Sequence, residues 1–165
     1  PDNVAACLLG GLTIAWTSHQ QPRAVRLEVH PEVRAVVCIP AAVLSTEAAR
    51  VLLPEAVPHA DAARNAAGAA LLVEALTRRP DLLLDATHDL LHQKYRASAM
   101  PDSLARVDEL RARGLAAVVS GAGPSVLVLA ARPDDTALVV DVAGRAGWQV
   151  RPLEVDRCGA VVEPL

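Results

Sequence analysis

Phenylalanine is absent from this chain, and its only aromatic side chains are Trp16, Tyr95 and Trp148. A core must therefore be assembled from Ala, Val and Leu, within a composition that is 52% hydrophobic over 165 residues. That supports one compact domain, or one and a half small ones. Lysine is nearly as scarce: Lys94 stands alone against fifteen arginines. With so much Ala, this reads as a GC-rich codon bias rather than a functional choice. The net charge is −3, the pI is near 5.9, and no cationic stripe is interleaved with aromatics. Nucleic acid is excluded as a partner on those grounds. Cys7, Cys38 and Cys158 are too few and too scattered for a CxxC pair or a disulfide framework, which fits a reducing cytosol. Cys7 and Cys38 lie in apolar runs and are expected in the core, while Cys158 lies in a polar turn. No apolar run approaches a membrane span, and no signal-peptide pattern occurs. A soluble, cytoplasmic protein without a membrane partner is the expectation.

What is present is a change of period along the chain. Val4–Leu9 reads as a short helix, capped by Asp2 or Asn3 and ended by Gly10-Gly11. Three β-rich runs follow, Leu12–Thr17, Ala24–Val29 and Ala35–Ile39, and suggest an antiparallel meander. Ser45-Thr46-Glu47 opens a helical turn that ends near Pro54. Asp61–Arg78, Ala- and Leu-rich on nearly every side, is expected to be a buried helix. Helices over Asp81–Gln93, Ser103–Arg113 and Thr136–Ala146 alternate with strands over Ala116–Val119, Val126–Ala130, Gln149–Val155 and Ala160–Val162. The last third thus predicts a split βαβ, ferredoxin-like sandwich in an α+β fold.

Four segments carry candidate chemistry. Asp2-Asn3 can orient a hydroxyl or simply cap a helix. Thr46 and Arg50 lie four apart on one face of a helical turn, where an Arg can grip a carboxylate through two parallel bonds or remain a surface cation. His88, His92 and Arg96 repeat every four residues, but no HExxH or third ligand accompanies the histidines, so no metal is assigned. Histidines favoured by a helix C-terminus are the ordinary explanation. Arg96 falls just past that helix, where its head can face a cleft. Finally, Ser120-Gly121-Ala122-Gly123-Pro124-Ser125 sits between two aliphatic runs. Its amides either turn inward around an anion or form an ordinary hairpin turn.

Taken together and in order, Pro1-Asp2-Asn3-Val4-Ala5, Leu44-Ser45-Thr46-Glu47-Ala48-Ala49-Arg50, Leu91-His92-Gln93-Lys94-Tyr95-Arg96 before Met100-Pro101, and Val119 to Ser125 resemble the homoserine kinase family of the GHMP small-molecule kinase superfamily. The resemblance spans nearly the whole chain. It implies transfer of the ATP γ-phosphate to the side-chain hydroxyl of L-homoserine, giving O-phosphohomoserine for threonine biosynthesis. It implies Asn3 near the substrate hydroxyl, Thr46 close by, and Arg50 and Arg96 on the carboxylate. Ser120, Gly121, Ala122, Gly123 and Ser125 would support the phosphate region. Such chemistry asks for positioning and charge stabilisation, and no strong general base is nominated.

The family's Gly-Leu-Gly-Ser-Ser phosphate loop and its acidic Mg²⁺ ligand have no counterpart in this sequence. Residues 1–40 are therefore expected to be a remnant of the GHMP N-terminal domain, and 41–165 the C-terminal domain. The start at Pro1, running at once into apolar Val4–Gly11, fits a piece of a longer protein that is inactive alone. ATP and Mg²⁺ are the implied cofactors, L-homoserine the partner, and a homodimer is admitted. Other readings are another GHMP kinase acting on a different hydroxy acid, and a standalone ligand-binding or dimerisation module without catalysis.

Overall fold

The computed structural model describes residues 2–162; Pro1, the Asp2 side chain and residues 163–165 lie outside that description, and with them the expected cap at Asp2. Helix α1 (Asp2–Leu9) leads into a hairpin of strands β1 (Leu12–Ser18) and β2 (Gln21–Leu27), paired from Leu12 with Leu27 to Ser18 with Gln21. The expected three-strand meander stops there. Strand β3 (Arg34–Ile39) leaves the hairpin and pairs antiparallel with β5 (Val126–Ala130) and β6 (Gln149–Leu153). The reason is its inward face: Val36 and Cys38 are fully buried and need Val-bearing strands on both sides. The β1–β2 hairpin is largely exposed and offers no such face.

With β4 (Ala116–Val119) the sheet runs β4-β5-β3-β6, each neighbour antiparallel. Chain order β-α-β-β-α-β in that arrangement is the ferredoxin-like split βαβ, with β3 as its first strand. The α+β expectation holds. The division proposed at residue 40 is crossed by strand pairing, since β3 lies before it and pairs only with strands after it.

One face of the sheet buries Val36, Cys38, Val126 and Val128 against Val107 and Leu110 of α6 (Pro101–Ala112) and Val139 and Val142 of α7 (Asp135–Arg145). The other face sets Ala116 and Leu129 against Leu76 of α3 (His59–Thr77) and Leu83 of α4 (Leu83–Ala86). Helix α3 is not the buried helix its composition suggests: only Ala75 and Leu76 are buried. Alanine's high intrinsic propensity sustains the exposed turns that packing does not.

The helix expected over Asp81–Gln93 is interrupted. It is a 3₁₀ turn (Pro80–Leu82), α4, an irregular bend, then α5 (Gln93–Arg96). Side chains displace the helical ladder. Thr87 Oγ1 donates back to the Leu83 carbonyl (2.8 Å), Asn65 Oδ1 accepts from Leu90 N–H (3.0 Å), and Asp89 Oδ1 accepts from the amides of Leu91 and His92 (both 2.8 Å). The strand expected over Ala160–Val162 is also absent; Val161 and Val162 are exposed. The chain bends away before it, where Asp156 Oδ1 accepts from the Cys158 and Gly159 amides. Cys7, expected in the core, is exposed on α1, whereas Cys38 is buried.

Candidate active site

Helix α2 (Thr46–Val51) begins where the Ser45 hydroxyl accepts from Ala48 N–H (3.1 Å), an N-cap that fixes Thr46 and Arg50 one turn apart. Both reach a cleft of about 280 Å³ that also takes Asn3 from α1, Arg96 from α5, and Gly121 and Ala122 from the β4–β5 loop. Segments from four parts of the chain, some 120 residues apart, thus bring six of the nine predicted site residues to one cavity. Ser120, Gly123 and Ser125 do not line it.

Arg96 is the best-held of these side chains. It is only 8% exposed; its Nε donates to the Ala49 carbonyl of α2 (3.1 Å) and Nη1 to the Gly121 carbonyl (3.3 Å). Neither Arg96 nor Arg50 makes an ion pair among the described residues. A guanidinium buried without a counter-charge is costly unless an anion answers it, and a planar fork suits a carboxylate. Asp89 is the one acidic side chain in the lining, and its Oδ1 is already committed to two backbone amides.

The glycine loop is a closed hairpin. Ser120 N–H donates to the Ser125 carbonyl (2.8 Å), Gly123 N–H to the Ser120 carbonyl (3.0 Å), and the Ser103 hydroxyl to the Pro124 carbonyl (2.6 Å). Two loop amides are thus spent inside the loop and cannot serve a triphosphate; what it presents to the cleft is Gly121 and Ala122. The histidines divide as well. His92 precedes α5 at its N-cap, 3.4 Å from Asp89, so the helix C-terminus explanation fails there, whereas His88 directly follows Thr87, the C-cap of α4. Among the described residues no three His, Cys, Asp or Glu side chains converge to hold a metal ion. Nor is any described helix long and apolar enough to cross a membrane.

Asp89, Gln93 and Met100 also line the cleft and were not singled out from sequence. The Asp-Leu-Leu-His run at 89–92 was the available signal, since an Asp that caps the amides two and three residues on ends one helix and starts another.

A sequence model of the family described as GHMP kinases C terminal matches residues 60–147. The chain belongs to this family. Among curated proteins, the homoserine kinase of Streptomyces avermitilis is 56% identical over 167 aligned positions, covering all of this chain and 53% of its own length. The homoserine kinase of Streptomyces coelicolor is 54% identical over 165, with the same coverage. The chain spans about half the length of the curated relatives it matches. Among solved structures, homoserine kinase from Cytophaga hutchinsonii superposes with a TM-score of 0.86 at 23% identity, covering 96% of this chain and 52% of that one. A putative homoserine kinase from Listeria monocytogenes gives 0.63 at 23%, covering 95% and 52%. These two likenesses show a shared fold.

Proposed function

We propose that this chain is the substrate-holding half of a homoserine kinase, which transfers the ATP γ-phosphate to the hydroxyl of L-homoserine. The observation that carries the reading is the convergence of Asn3, Thr46, Arg50 and Arg96 on one cleft. Two guanidinium groups there favour the substrate carboxylate, and a fixed carboxylate aims the distant hydroxyl. Asn3, with both donor and acceptor, suits that hydroxyl. ATP would be held by residues outside this chain, which has no Gly-Leu-Gly-Ser-Ser loop and whose glycine hairpin commits two of its own amides. Mg²⁺ ligands would likewise come from that half. The hairpin's contribution is to the wall of the cleft, through Gly121 and Ala122. A cytoplasmic location suits this chemistry, and a homodimer is compatible with it.

A standalone binding module fits less well. Val4, Leu8, Ile14, Trp16 and Val25 are all exposed on α1 and the β1–β2 hairpin, Trp16 at 46%. So much uncovered apolar surface belongs to an interface, and the unmatched half of the relatives is the proposed cover.

The experiment joins this chain to the half of the S. avermitilis homoserine kinase that the match leaves out. ADP release with L-homoserine is expected from the chimaera and not from the chain alone. A monodisperse, cooperatively melting chimaera that turns over no homoserine would overturn the reading. Turnover by the 165-residue chain by itself would overturn the division of labour.

A further inference from the structure

Helix α5 is one turn long, too short to hold its own position. Three of its four side chains tie it to α2, to α3 and to the β4–β5 hairpin. Lys94 pairs with Asp61 of α3. Arg96 reaches the Ala49 carbonyl on α2 and the Gly121 carbonyl of the glycine hairpin. Gln93 Oε1 accepts from the Val119 N–H on β4 at 2.6 Å. Strand β4 is an edge of the sheet, so a side-chain amide here occupies a place that a further strand would otherwise take.

Gln93 and Arg96 are therefore one turn apart on the helix and grip the same β-hairpin two residues apart, at Val119 and Gly121. The Gln93 bond is the shorter and the Arg96 bond the longer of the two. Gln93 also forms part of the partition between the substrate cleft and a second cleft of about 380 Å³ behind α5, since it lines both. Remove its acceptor and α5 can slide along the β4 edge. Arg96 would then keep its charge but lose its aim.

We propose that Gln93 is a positioning residue that sets the orientation of the Arg96 guanidinium toward the substrate carboxylate, acting through Val119 rather than by touching substrate. The inference rests on the carboxylate-clamp reading given above. Met is close to Gln in length and lacks the amide oxygen, so Gln93→Met removes the bond with little change of volume.

The test measures steady-state kinetics in the active chimaera. Gln93→Met is expected to raise KM for homoserine about tenfold, the effect of one hydrogen bond of ordinary net strength. KM for ATP and kcat should stay within about twofold. The variant is then combined with Arg96→Lys. Because Gln93 acts through Arg96, the double variant should show the homoserine KM of Arg96→Lys alone within about twofold. Multiplying effects, or an unchanged homoserine KM in Gln93→Met, would overturn the inference. If Gln93→Met fails to melt cooperatively, Gln93→Leu replaces it, since it also lacks the acceptor oxygen for Val119 N–H and adds no charge. The same rise in homoserine KM is expected, and an unchanged KM would overturn the inference. A parent chimaera that shows no homoserine turnover fails the functional reading, whereas a working parent with an insensitive Gln93 fails only this one.

Discussion

Arg96 Nε donates to the Ala49 carbonyl at 3.1 Å, joining two short helices that lie 47 residues apart in sequence. Arg50, the other guanidinium of the cleft, is exposed on α2 immediately after Ala49. The two arginines thus share a proposed ligand but not a structural task. Arg96→Ala leaves the buried Ala49 carbonyl and the part-buried Gly121 carbonyl without their donor and is expected to lower unfolding free energy by about 2–3 kcal/mol. Arg50→Ala removes an exposed side chain and should cost less than about 0.5 kcal/mol. Both should raise KM for homoserine at least about tenfold in the chimaera, with KM for ATP little changed. Urea melts beside the kinetics separate the two roles. Equal losses of stability would contradict the division.

The two glycines of the hairpin make a similar contrast. Gly121 has φ +59° with open space where a Cβ would point, while Gly123 has φ +88° and a Cβ there would lie 2.6 Å from Met100 Sδ and 3.1 Å from Val119 Cγ1. Gly121→Ala should cost only the left-handed backbone penalty, about 1–2 kcal/mol. Gly123→Ala adds displacement of the buried Met100 and should cost about 1–2 kcal/mol more. Denaturant midpoints of the pair, taken at a common m-value, check the order.

Local pattern made much of this molecule legible before any coordinates. The amphipathic spacing of Ser103–Arg113 and the aliphatic runs at Ala116–Val119 and Val126–Ala130 become α6, β4 and β5 within a residue or two. The helical turn expected to open at Ser45-Thr46-Glu47 and the Thr46/Arg50 spacing likewise survive. What escaped was decided at a distance. The choice by β3 of β5 and β6 over the adjacent hairpin depends on partners about 90–120 residues later, and no local periodicity records it. The break after α4 depends on Asn65 from another helix as much as on Asp89. With the helix assumed continuous, Gln93 looked like its last residue rather than the first of a new one that faces the cleft.

Arg111 provides the strongest test of that break. Its guanidinium donates to the carbonyls of Leu84 (2.7 Å), Thr87 (3.2 Å) and Ala117 (3.2 Å) and to Thr87 Oγ1 (2.9 Å), capping α4 and pinning it to β4. Burial holds its pKa below the ordinary arginine value. Arg111→Met would strand four acceptors at once and should destabilise the protein by about 3 kcal/mol. Arg113→Met, at the C-cap of α6 in an exposed pair with Glu109, should cost less than about 1 kcal/mol. Thermal melts of the two variants decide it, and comparable losses would mean that the α4 cap carries little of the stability.

Cys38 links the core to pH. It is fully buried on β3, and burial pushes its thiol up to about 11 from an ordinary 9.0, with the Arg106 charge opposing the rise. Above pH 9 the unfolded chain gives up this proton while the folded chain keeps it. The unfolded state then binds fewer protons, so stability must fall as pH rises from about 9 toward 11 and level off beyond. Below pH 9 this group has no effect. Other groups titrate in the same range, so the comparison is with Cys38→Ala, whose midpoint should start lower because of the cavity but decline less steeply between pH 9 and 11. Parallel declines would mean that Cys38 is not the titrating group. Thiol labelling at pH 8 supplies an independent reading: exposed Cys7 and Cys158 should react at once, and Cys38 only as fast as the protein opens.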